Sequence, residues 1–155
     1  MAALVLTKPL SRAAFVQARL LFQLALVVVV VAAGSGVCGL MTWLLFGDLP
    51  VAPFLGAIGL WLVLAMFLLA AMTLLSVLFS SPGGASGVGL GVYFVVGLLS
   101  MWGTAARFSP VGLASASSEL LAGKHPAIAA PVVTALLASA LLVALATWVF
   151  QRKDL

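Results

Sequence analysis

The side chains of this chain that could do nucleophilic or metal chemistry are few and lie far apart. His125 is the one histidine and Cys38 the one cysteine. A metal site needs several such ligands together, and a disulfide needs a second cysteine. We therefore predict no catalytic residue, metal site or cofactor on this chain. His125 is expected at the surface and Cys38 as a structural thiol in an apolar run.

Charged residues are almost absent from a long central stretch of the sequence. Between Arg19 and Arg107 the one charged side chain is Asp48. A charge at the centre of a membrane helix costs about 2.5–3.5 kcal/mol on insertion scales. The chain is 65% hydrophobic and 6% charged, whereas a soluble domain is about 25% charged. This pattern indicates a membrane protein, and its net charge of +4 indicates contact with anionic lipid head groups rather than with nucleic acid.

Four apolar runs are long enough to cross a membrane. They cover residues 20–46, 54–79, 88–106 and 127–150. About 20 helical residues cross a hydrocarbon core of about 30 Å, and continuous apolar runs favour helices over barrel strands. The sequence therefore predicts one all-α domain over residues 1–155, a four-helix transmembrane bundle. No ionisable group lies inside a run, which argues against a proton- or sodium-coupled carrier.

The distribution of basic residues predicts the orientation of the bundle. Four spans place both termini on one side, and the long loop 107–126 on the other. The terminal side carries Lys8, Arg12, Arg19, Arg152 and Lys153, and the other side carries Arg107 and Lys124 with Asp48 and Glu119. Because cytoplasmic edges are enriched in Lys and Arg, we expect both termini to be cytoplasmic in a plasma (inner) membrane.

The N-terminal edge predicts an amphipathic cytoplasmic helix over residues 8–19. Pro9 suits a first helical turn, and Lys8 would lie at the start of the helix. Arg12 and Arg19 fall on one helical face, which makes a basic stripe leading into the first span. The stripe either anchors the helix to lipid head groups or forms a docking surface for a cytosolic partner.

The long loop contains start and stop signals for a helix of its own. Ser109 would act as the N-cap with Pro110 at the first position, and Gly123 would end the helix. Glu119 lies among the serines that alternate with apolar residues between them. We predict a short amphipathic helix at the outer interface, and the alternative is a plain connector.

Glycines are dense in the third span and its approach. Gly83, Gly87 and Gly91 are four residues apart, a spacing that lets helix backbones approach closely. Similar pairs occur in the first span, Ala32 with Gly36 and Ser35 with Gly39. We predict tight helix packing, either within the bundle or between subunits; flexibility for gating is a further alternative.

Four segments that flank the predicted spans, taken in order, resemble the C-terminal portion of the integral membrane permease of type-2 ABC exporters. The matching segments are 7–12 (TKPLSR), 78–81 (LFSS), 108–123 (FSP to LLAG) and 150–155 (FQRKDL). Family members usually have six spans, so the first two would come from another chain, or this chain is a fragment or a split gene product. The sequence has no Gly-x-x-x-x-Gly-Lys loop, so ATP hydrolysis is expected on a separate cytosolic ATPase.

The resemblance implies a mechanical role for this chain. Lys8, Arg12 and Arg19 would contact the ATPase or the missing coupling segment, and residues 109–123 would line or gate the exit. A further permease chain or a homo-oligomer would complete the path. The alternative is a non-transporting scaffold that packs against other membrane proteins.

Overall fold

The structure, a computed structural model, describes residues 12–79, 81–100 and 108–152. All regular secondary structure in these residues is helical, as the sequence predicts. The helices are α1 (Arg12–Phe46), α2 (Val51–Leu78), α3 (Pro82–Ser100), α4 (Gly112–Leu121) and α5 (Ala129–Arg152). Lys8, the C-terminal end of the predicted third span and Arg107 lie outside the described residues.

Three helices are long and apolar enough to cross a membrane. These spans are Gln17–Phe46, Val51–Leu78 and Ala129–Phe150. The apolar part of α3 is shorter, Ser86–Leu98, and the predicted span continues into residues that the structure does not describe. Three of the four predicted spans are therefore confirmed as helices of sufficient length and composition, and the four-span bundle stays a prediction.

Two short turns join α1 to α2 and α2 to α3, and local chemistry explains them. α1 ends where Gly47 takes a φ of +71°, a left-handed conformation that suits glycine. The Gly47 N–H donates a hydrogen bond to the Trp43 carbonyl at 2.9 Å. At the other turn, the Gly84 N–H donates to the Ser81 hydroxyl at 3.2 Å. Ser81 thus acts as the N-cap of α3, with Pro82 at the first helical position.

The core of the protein lies where α2 meets α4 and α5. α2 packs against each of the other four described helices. The buried cluster contains Leu60 and Leu64 from α2, Leu113 and Ala116 from α4, and Ala135 from α5. Leu113 has 0% of its surface exposed. The short helix that the sequence assigned to a loop therefore supplies the most completely buried large side chain of the described residues.

α4 packs along the first half of α2. A Cβ atom at Gly56, near the start of α2, would lie 2.6 Å from Cδ2 of Leu120. Seven residues before Leu120, Leu113 clusters with Leu60 and with Leu64, which lies at the middle of α2. α4 therefore runs antiparallel to α2, toward the end where α2 begins. The prediction of a short helix in the long loop is confirmed, with its apolar face on α2 and α5, and its location at an outer interface stays a prediction.

α1 and α3 lie at the periphery of this core. α1 packs against α2 and α5, and α3 against α2 and α4. The more buried positions of α1 recur every three or four residues, so one face makes its contacts. From Leu20 onward they are Leu20, Gln23, Leu24, Val27, Val31, Ser35, Gly39 and Thr42. The other faces of α1 stay exposed, as expected for a helix that borders lipid or another chain.

We expect Leu113→Ala to destabilise the protein strongly, because the truncation leaves a cavity between three helices. Core Leu→Ala changes cost about 2–5 kcal/mol. Leu121→Ala on the same helix is the matched control, since Leu121 is 51% exposed. Thermal unfolding in mild detergent measures both variants. Equal melting temperatures for the two would contradict the packing of α4 described above.

Candidate functional site

The basic end of α1 is part of one continuous helix with the first span. Arg12 is the first residue of α1, and the Arg19 side chain is exposed. The two positions are seven residues apart, so they share one face of the helix, as predicted. α1 has 35 residues and α2 has 28, so by length alone α1 extends about 10 Å further.

Charge is distributed unequally between the two ends of the bundle. α5 begins beside the start of α2 and runs in the same direction, so Arg152 lies at the same end as Arg19. Both acidic residues in the described ranges, Asp48 and Glu119, belong to the opposite half. Among the described residues, the end near Arg19 is therefore basic without acidic compensation.

The start of α4 differs in detail from the predicted one. The Gly112 N–H donates to the Ser109 carbonyl at 3.1 Å, and the Leu113 N–H to the Pro110 carbonyl at 3.2 Å. These bonds form a tight turn, and the helix begins at Gly112 with Val111 as its N-cap and no side-chain cap bond. The predicted N-cap at Ser109 is therefore wrong by two residues, although Ser109 and Pro110 do initiate the turn.

The predicted end of α4 is confirmed. Gly123 has a φ of +75°. Its N–H donates to the Leu120 carbonyl at 3.1 Å, and the Lys124 N–H donates to the Glu119 carbonyl at 3.0 Å. This pair of bonds is a Schellman motif, which requires a left-handed residue at this position. The Glu119 side chain is exposed, whereas Leu113 is buried.

Buried hydroxyl groups in the core donate to their own helices. Thr73, Ser117 and Ser139 donate to the carbonyls of Leu69, Ala114 and Ala135, each at 2.7 Å. Ser117 is 2% exposed and Ser139 1% exposed. Thr42, Thr134 and Thr147 also donate to carbonyls of their own helices, as hydroxyls within apolar helices commonly do. These protons are thus committed to helix carbonyls and are not offered to a passing ion.

The predicted glycine stripe of α3 faces away from the other described helices. A Cβ atom at Gly83, Gly87 or Gly91 would meet nothing within 4 Å. α3 packs on α2 through Gly89 instead, where a Cβ atom would fall on Sδ and Cε of Met72. Close packing of the stripe within this chain is therefore not seen among the described residues, and packing between subunits stays a prediction.

The first span uses its small residues in two ways. Gly39 is buried, and a Cβ atom there would lie 3.3 Å from Cε1 of Phe54, so close approach of α1 and α2 is confirmed at this position. Gly36 has open space around it, since a Cβ atom there would meet nothing within 4 Å. In the described residues, Gly39 with Phe54, Gly56 with Leu120 and Gly89 with Met72 are the close approaches between helices at glycine positions.

The structure keeps the predicted functional residues in three separate groups. Arg12 and Arg19 lie toward one end of α1, the gate residues lie in and beside α4, and the glycine stripe lies on the outer face of α3. In the described ranges no three His, Cys, Asp or Glu side chains come together as metal ligands. Cys38 and His125 are both exposed.

The fold and these elements define the chain as an all-helical protein with three helices long and apolar enough to cross a membrane. Comparisons with protein families, with curated proteins and with solved structures gave no match. Its function must therefore be inferred from its own residues.

We expect opposite outcomes for two bulky substitutions on α3. Gly89→Leu forces α3 away from Met72 and lowers the free energy of unfolding by about 1–3 kcal/mol, as overpacking does. Gly87→Leu enters open space, so the stability of the isolated chain should not fall. Unfolding of both variants in detergent tests the orientation of α3. If Gly87→Leu destabilised the protein and Gly89→Leu did not, the glycine stripe would face the inside of the bundle, contrary to the structure.

Proposed function

We propose that this chain is the transmembrane subunit of an ATP-binding-cassette exporter, where it forms part of the translocation path and couples to a separate cytosolic ATPase. Four polar segments of the chain resemble those of type-2 ABC exporter permeases, and this resemblance suggests the function. The structural observation that supports the proposal is that α1 is continuous. α1 joins Arg12 to Phe46 in one 35-residue helix. Such a helix is about 52 Å long, so a force on its basic end reaches the far end of the bundle.

Coupling in this mechanism is mechanical. ATP binding closes a pair of ATPase subunits in the cytosol, and the closure displaces the basic end of α1. α2, α4 and α5 stay together because they share the cluster around Leu113. α1 is held along one face only, so it moves relative to that core, pivoting where Gly39 contacts Phe54. α4, which borders the path from mid-bundle outward, then lines or gates the exit.

The proposed assembly needs further membrane chains. A second permease chain or further copies of this chain supply the remaining spans, and the outward stripe of Gly83, Gly87 and Gly91 suits such contacts. Membrane lipids cover the other apolar faces, and no nucleic-acid partner is proposed. With the basic end in the cytosol, both termini are cytoplasmic in a plasma (inner) membrane.

The same outward stripe favours a second candidate function, a non-transporting scaffold or accessory subunit. Such a protein uses its exposed faces to hold other membrane proteins and has no need of an ATPase. The two candidates differ in the role of the basic end of α1. In an exporter the ATPase acts on this end, whereas a scaffold needs no such contact.

We expect Arg19→Glu to reduce recovery of a co-purifying ATPase, and export with it, by at least about tenfold. Like charges placed across an interface cost several kcal/mol, and about 1.4 kcal/mol is a factor of ten. The measurement is affinity purification of the full chain from its native membranes, followed by ATPase assay and identification of bound chains.

Two controls make this experiment specific. Arg19→Lys keeps the charge and should keep the ATPase, and Lys124→Glu makes the same reversal at an exposed position of the opposite end. Purification of the wild-type chain without any ATPase would reject the exporter. Normal ATPase binding by Arg19→Glu, with loss of assembly instead, would favour the scaffold.

A further inference from the structure

One flank of α1 carries a guanidinium, an amide and an aliphatic surface in order along the helix. Arg19, Gln23, Leu26 and Val30 follow one another at spacings of four, three and four residues, so they lie on one side of the helix. Arg19, Leu26 and Val30 are exposed, and Gln23 is half-buried. The side chains of this flank therefore change from cationic to polar to aliphatic within about 16 Å.

The length of the first span assigns each of these groups to a level of the bilayer. The candidate span Gln17–Phe46 has 30 residues, or about 45 Å of helix, and the hydrocarbon core is about 30 Å thick. In a span centred on this core, Arg19 lies about 4 Å outside the hydrocarbon, whereas Gln23 lies about 2 Å and Leu26 about 6 Å inside it. These levels correspond to the phosphate, the glycerol esters and the acyl chains of a phospholipid.

The two polar groups of this flank are available to a ligand. Within the residues that the structure describes, the side chains of Arg19 and Gln23 make no hydrogen bond or ion pair. Further along the same helix, the hydroxyls of Ser35 and Thr42 instead donate to the carbonyls of Ala32 and Cys38. Because a polar group without a partner is costly at the edge of the hydrocarbon, a ligand that pairs with both groups is favoured.

Charge decides which molecule covers this flank. Arg12, Arg19 and Arg152 lie at this end, and both acidic residues of the described ranges belong to the opposite half. A second copy in the same membrane orientation would bring the same arginines to the same level, and like charges repel across an interface. A cytosolic protein does not reach Gln23 inside the hydrocarbon boundary. An anionic phospholipid supplies both the missing negative charge and acceptor oxygens at the two levels.

We propose that this flank of α1 binds an anionic phospholipid of the leaflet at its basic end. The Arg19 guanidinium donates to the phosphate, the Gln23 amide donates to an ester carbonyl, and Leu26 and Val30 contact the acyl chain. A guanidinium has five N–H donors, so Arg19 keeps donors for a cytosolic partner, and Arg12 lies about 10 Å further out. The lipid site is independent of export and can be assayed on this chain without an ATPase.

The test is photochemical labelling of the purified full-length chain in nanodiscs of equal parts phosphatidylglycerol and phosphatidylcholine. These lipids share the phosphate, the esters and the acyl chains, and they differ in net charge. Trace amounts of either lipid carry a diazirine in the acyl chain, and mass spectrometry maps the adducts. We expect phosphatidylglycerol to label residues 26–30 several-fold more than phosphatidylcholine does, with no such preference at Leu137 and Leu141, which are exposed on α5.

Substitutions separate the roles of the two polar groups. Arg19→Gln should abolish the preference for phosphatidylglycerol, and Arg19→Lys, which keeps the charge, should retain it. Gln23→Leu removes the amide at nearly constant size, so labelling of residues 26–30 by both lipids should fall several-fold while the preference stays. Gln17→Leu is the matched control and should change neither, because Gln17 is exposed and lies about 120° away around α1. Arg19 is exposed, so its variants carry the test even if Gln23→Leu lowers the melting temperature.

Three results would overturn the proposal. Equal labelling of residues 26–30 by the two lipids in the wild-type chain would show that no anionic head group is selected. The same preference for phosphatidylglycerol at Leu137 and Leu141 would indicate ordinary boundary lipid attracted by the net charge. Dissociation of an oligomer in Gln23→Leu, seen by native mass spectrometry together with a gain of lipid adducts, would make this flank a protein interface.

Discussion

The packing of α4 against the middle of α2 is the interaction on which the rest of the fold depends. Leu113 is enclosed by α2 and α5, and Leu120 fills the space that Gly56 leaves open. Without this short helix, the centre of α2 would face a gap on the side where α5 approaches. Because lipid tails are as apolar as leucine, burial alone does not hold membrane helices together, and close fit has to do so. α4 provides that fit.

The fold therefore separates a tightly fitted part from two loosely held helices. α2, α4 and α5 share the buried cluster, whereas α1 and α3 each contact the core along a single face. In α1 the close approach is at Gly39, and in α3 it is at Gly89. Each of these two helices therefore has one glycine at which it approaches α2 closely.

The sequence predicted those features that depend on neighbouring residues. The end of α4 at Gly123 follows from local backbone chemistry and is confirmed. The turns at Gly47 and Ser81 depend on local chemistry of the same kind. The packing partners of α4 were not predictable, because lipid and apolar helices could cover its apolar face equally well. The face of α3 that packs on α2 was not predictable either. Gly87 and Gly89 are the same residue type and differ only in that Met72 lies beside Gly89.

The position of α4 also has a consequence for the order of folding. Leu113 is enclosed by residues of α2 and by Ala135 of α5. α5 follows α4 in the sequence, so the ribosome makes it later. The pocket around Leu113 therefore closes only once α5 has packed against α2, which makes the docking of the last helix the step that completes the core.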